Sequence, residues 1–78
     1  MITKAQHATI AAAAKELTDA LDRLLEAIQD DDVERALEDL EDVDHAARAV
    51  ASQATIVLVH EAAAAGIDVD AVRSNYRA

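Results

Sequence analysis

Gly66 is the only glycine in this chain of 78 residues, and there is no proline. Nothing ahead of Gly66 therefore carries the two strongest intrinsic interrupters of helical backbone. Alanine supplies much of the apolar content and Tyr76 is the single aromatic residue. That composition joins near-maximal helix propensity to poor strand propensity. An all-α fold is expected, broken only where polar side chains compete for backbone hydrogen bonds.

Thr3 followed by Gln6 has the spacing of a capping box. Beyond it Ile10, Ala14, Leu17, Leu21, Leu24 and Ile28 alternate four and three apart, a heptad seam. Ala13 and Leu25 widen the seam into a stripe, and Lys15, Glu16, Asp19, Asp22, Arg23 and Glu26 take the remaining surface, as an amphipathic helix requires. Helix is expected over about 4–29. Asp30, Asp31 and Asp32 then favour a turn, and Asp31 with Glu34 repeats an N-cap signature. A second seam through Val33, Ala36, Leu40, Val43, Ala47, Val50, Ala54 and Val57 predicts a second helix over about 32–65, roughly 50 Å long, that outruns the first by several turns. Gly66 suits a C-cap. Asp68 suits a new N-cap, with Ile67 and Val72 spaced as a hydrophobic staple across it. A short third helix over about 69–77 is expected to fold back on the overhanging end of the second.

A turn at 30–32 is too short for anything but an antiparallel hairpin. The whole chain, 1–78, is then a single helical domain, and its stability is a problem. A chain of this size buries only about 60% of the surface that its unfolded form exposes, alanines bury little area each, and without cysteine there is no disulfide. Leu25, Leu37, Ile56, Leu58 and Val59 lie beside or beyond the seams as a second apolar surface. Its expected use is pairing with a second copy, making a homodimeric four-helix bundle.

The formal net charge of −9 disfavours nucleic acid and anionic membranes as partners. Its distribution is uneven: 13 of the 16 acidic residues, but only Arg23 and Arg35 of the seven basic ones, fall between Glu16 and Asp44. That segment carries −11 and the rest +2. Asp30, Asp31, Asp32, Glu34, Glu38, Glu41 and Asp42 make an acidic tip, read either as a solvated face or as a docking surface for a basic partner. Asp19, Asp22 and Glu26 near the end of the first helix oppose its dipole, a cost that a basic partner would offset. The longest strongly apolar run, Ile56 to Val59, is far too short to span a bilayer. With no signal-peptide pattern either, a cytoplasmic protein is expected.

No catalytic residue, metal ligand set or cofactor is expected. Glu41 and His45 are four apart on one face, but helix one has no matching Glu-His pair, and carboxylate-bridged bundles need two. The aspartates at the turn lack the glycine and closing glutamate of a calcium loop. His7 and His60 read as half-buried, hydrogen-bonded histidines. Serines and threonines have no nucleophile motif around them, and a two-helix layer of small side chains leaves little room for a pocket. A non-enzymatic protein that binds no small-molecule substrate follows: an adaptor or inhibitor acting through its acidic tip, or a structural assembly subunit. One rival stands beside these. Residues 62–76, with four alanines, Gly66 at the turn, and Ile67 and Val72 placed to pack inside, resemble a DNA-binding helix-turn-helix. That resemblance implies a transcriptional regulator, with Arg73, Asn75 and Arg77 facing DNA from the second helix of the motif. Asp68 and Asp70 argue against it, being negative at a helix start that would approach phosphate.

Overall fold

The computed structural model describes the backbone of residues 1–77 and the side chains of residues 1–74. It contains three helices, α1 (Lys4–Gln29), α2 (Val33–Ala65) and α3 (Val69–Arg77). At the head of α1 the Gln6 N–H donates to Thr3 Oγ1 at 3.1 Å and the Thr3 N–H donates to Gln6 Oε1 at 2.9 Å. Two otherwise unpaired backbone donors are thereby satisfied reciprocally. At its end α2 closes on Gly66, whose φ of 71° is left-handed. The Gly66 N–H donates to Ala63 O and the Ile67 N–H to Ala62 O, the paired bonds of a Schellman motif. Asp68 then caps α3, its Oδ1 accepting from the N–H groups of Asp70 and Ala71.

α1 and α2 pack against each other as an antiparallel hairpin, and the N-terminal ammonium of Met1 reaches the Glu61 carboxylate near the far end of α2. α2 has 33 residues against 26 in α1, an excess of about two turns. Because Met1 lies beside Glu61, only the last turn of α2 projects past the first residue.

The helices meet along small side chains. Ala20 (1% exposed) and Ala27 (0%) of α1, with Ala46 and Val57 (8% each) of α2, are the most buried residues. Ile10, Ala13, Leu17 and Leu24 on α1 and Val43, Val50 and Ala54 on α2 flank them, half-buried. On α1 the contact ridge thus runs through Ile10, Ala13, Leu17, Ala20, Leu24 and Ala27. The expected seam is corrected at alternate positions: Ala20 replaces Leu21 and Ala27 replaces Ile28. Alanine lets two backbones approach closely and gain contacts that a leucine or isoleucine in the same place would hold apart. Leu21 and Ile28 are turned about 100° to the side and stay exposed, as do Val33 and Leu40 on α2. His7 and His60 are also exposed rather than half-buried, because neither falls on the contact ridge.

The result is one helix thick. Only α1 and α2 pack closely against each other, side by side, and the molecule measures 49 × 33 × 14 Å. Its radius of gyration is 16.1 Å against about 11.5 Å for a compact domain of this length. It exposes 6200 Å², where a compact monomer of 8.3 kDa exposes about 4,600 Å². α3 packs closely on neither long helix. It stands off the end of α2 instead of folding down onto it, since its short apolar face of Val69 and Val72 has too little area to close the gap.

Ala27→Leu and Ala46→Leu push a large side chain into the contact ridge. Each is expected to lower stability by about 1–3 kcal/mol, read by urea denaturation followed by circular dichroism. Ala8→Leu, on the exposed side of α1, is expected to stay within about 0.5 kcal/mol.

Candidate interaction surfaces

Three consecutive aspartates make the turn, and each does something different. Asp31 occupies the left-handed region at φ 57°, the position glycine usually takes at the close of a helix. Its N–H donates to Ile28 O at 3.1 Å while the Asp32 N–H donates to Ala27 O at 3.0 Å, so α1 also ends in a Schellman motif. Asp32 then begins α2: its Oδ1 accepts from the Arg35 N–H at 3.1 Å. The N-cap is therefore Asp32 rather than Asp31, because Asp31 is already committed to closing α1. Asp30 Oδ2 accepts from the Arg35 guanidinium at 3.1 Å, tying the last residue before the turn to the first turn of α2. Two of the three acidic side chains at the tip are thus part of the hairpin closure.

The hairpin separates its remaining side chains onto two faces. On one, Leu24, Ile28, Val33, Ala36, Leu37 and Leu40 line a shallow apolar groove beside the turn. Seven residues past Leu40, Ala47 resumes this face, and Ala51, Ala54 and Leu58 continue it at spacings of four, three and four, with Asp44 at the intervening position. There a second apolar groove opens between α2 and α3. Ala51, Ala54, Thr55, Leu58, Val59 and Ala62 form one wall of it, and Ile67, Val69 and Val72 the other, with Glu61 and Arg73 at its rim.

The opposite face is charged. Glu16, Asp19 and Arg23 of α1 and Asp42 and His45 of α2 surround the buried Ala20 and Ala46. Closer to the turn, Arg23, Glu26, Arg35 and Asp39 form a mixed cluster, in which Arg35 Nε is buried without a hydrogen-bond partner. Among the described residues, no three histidine, aspartate or glutamate side chains converge as metal ligands. None of the helices is long and apolar enough to cross a membrane.

The sequence-derived candidates distribute unevenly over these faces. Asp42 joins the charged face, while Glu34, Glu38 and Glu41 are exposed along α2. Glu16, Asp19 and Asp39 belong to the charged face although the tip reading leaves them out. The signal for them lay in their spacing from Ala20 and Ala46, which becomes visible only once those alanines are known to be the contact. Of the apolar candidates, Leu37 lines the groove at the turn, and Leu58 and Val59 line the one at α3. Leu25 is exposed one turn from Leu21 and Ile28. Ile56 does not belong with them. Val57 faces α1, so Leu58, 100° onward, and Ile56, 100° back, lie on opposite sides of the helix. Arg73 sits at the rim of the α2–α3 groove. The side chains of Asn75 and Arg77 lie outside the described residues. Comparison with protein-family models, curated proteins and solved structures finds no match for this chain.

The roles of the aspartates are separable by substitution. Asp31→Gly relieves a left-handed non-glycine residue and is expected to raise stability by about 0.5 kcal/mol, whereas Asp32→Ala removes a cap and is expected to lower it by about 1 kcal/mol. Paired thermal melts at equal concentration read both, and a fall in melting temperature for Asp31→Gly contradicts the assignment.

Proposed function

We propose that the protein works by binding and not by catalysis, as a homodimer whose apolar faces close into a four-helix bundle and whose charged faces stay outside to hold a basic protein. The observation that carries this reading is the opposite character of the two faces of a layer one helix thick. Leu21, Leu25, Ile28, Leu37, Leu40 and Leu58 are all exposed on the protomer, and water is a poor neighbour for so many large apolar groups in so small a chain. The excess accessible surface, about 1,600 Å² over a compact monomer, is of the size a stable partner would cover. If each protomer buried half of it, the pair would bury about 1,600 Å², the usual size of a specific interface.

The charged face supports the second half of the proposal. With the apolar faces closed, the accessible remainder is dominated by Glu16, Asp19, Glu34, Glu38, Glu41 and Asp42, a field that steers and selects basic partners. An inhibitor or adaptor for such a partner uses these residues directly, whereas a structural assembly subunit needs them only for solubility. DNA binding through α3 is less well supported. Asp68 caps that helix and Asp70 lies in its first turn, where phosphate would have to approach, and Arg73 borders the apolar groove.

Light scattering across a dilution series is expected to give a molar mass twice the 8.3 kDa of the chain. A monomer at every concentration would falsify the bundle. The Asp31→Lys, Glu38→Lys, Asp42→Lys triple variant is expected to keep that mass while weakening capture of an oligolysine peptide by about tenfold or more at low salt. Unchanged capture would leave only the assembly role.

A further inference from the structure

We infer that the second copy docks antiparallel, turn end over α3 end, with Leu37 and Leu40 of each hairpin seated in the α2–α3 groove of the other. This rests on the dimer proposed above and specifies its geometry. Ala47 lies midway along the apolar face of α2. A two-fold axis midway between Ala47 and Arg48 brings Leu37 over Leu58, Val33 over Ala62 and Leu40 over Thr55, since the members of each pair are equidistant from it in residues and therefore in rise. In a two-fold interface each such contact is made twice.

Three observations favour this register over the one that sets turn against turn. First, Val33 and Leu40 meet the smaller Ala62 and Thr55, while Leu37 meets Leu58 at the groove wall. Val33, Leu37 and Leu40 form a ridge at one end of the face, and the groove at the other end is floored by Ala51, Ala54 and Ala62. Ridge into groove is how helices reach interior packing density. Turn against turn instead opposes bulk to bulk at one end and alanine to alanine at the other.

Second, α3 does not pack down on α2, and Ile67 and Val72 are left exposed as the outer wall of the groove. A helix edge inserted from a second copy supplies the apolar contact that α3 lacks within its own chain. Third, the charges are complementary only one way. The segment from Glu16 to Asp44 carries −11 and the remainder +2, so the turn-to-turn arrangement juxtaposes the two acidic ends, while the antiparallel one separates them. Glu41 and Asp44 flank Leu40. Seating Leu40 in the groove carries both carboxylates toward Arg73 at its rim, although Asp44 is already paired with Arg48 of its own helix.

The chain contains no cysteine, so introduced cysteines report the register directly. Leu37→Cys, Leu58→Cys and Ala47→Cys are purified separately, their helicity is checked by circular dichroism, and their molar masses are measured by light scattering before oxidation. The expected result is a disulfide between Leu37→Cys and Leu58→Cys chains when the two are mixed, several-fold more than either forms alone, together with self-linking of Ala47→Cys beside the axis. Predominant self-linking of Leu37→Cys means a turn-to-turn dimer and overturns the inference while leaving the dimer intact. A dimer by light scattering that gives neither product overturns it equally. If the unsubstituted protein is monomeric at every concentration, the proposed dimer itself fails, and the register fails with it.

Discussion

Close contact between alanines governs this structure. Ala20 and Ala27 of α1 and Ala46 of α2, with Val57, are the most buried residues between the two helices, and the side chains on either flank are placed by that line. In a two-helix layer there is room for only one contact line. A line built of small residues has no place for Leu21, Ile28 or Leu40, which are displaced together to one flank. Glu16, Asp19, Glu26, Asp39 and Asp42, with Arg23 and Arg35, take the other. The two unlike faces are therefore a consequence of how the helices touch rather than a separate feature of the chain.

The same choice explains why the chain exposes so much apolar surface. A contact of alanines gains much from backbone proximity but removes little apolar area from water. The large residues that would contribute most of that area are left outside it. A layer 14 Å thick has no interior to receive them, and α3 is too short to provide a cover. In a chain with no disulfide, this leaves much of the apolar surface open. The proposed dimer would cover it.

The acidic residues of the turn have structural uses of their own. Asp30 and Asp32 hold Arg35 and the start of α2, so part of the negative charge at this end is used in closing the hairpin. Asp31 stands in a backbone conformation better suited to glycine. Its carboxylate has no such structural partner among the described residues, which leaves it free for solvent or for a partner.

The helices themselves were legible in the sequence. The absence of proline, the single glycine, the Thr3–Gln6 box and the Asp68 cap act over a few residues, and local rules suffice to read them. The presence of an apolar stripe on each long helix was equally plain from periodicity. Which edge of that stripe would be buried was not, because Ala20 and Leu21, or Ala27 and Ile28, are both apolar and adjacent. Hydropathy favours the larger residue, whereas close approach of two backbones favours the smaller. That competition exists only when a second helix is present, so tertiary packing alone decided it. With it were decided the exclusion of Ile56 from the apolar face, the inclusion of Glu16, Asp19 and Asp39 on the charged one, and the groove left open beneath α3.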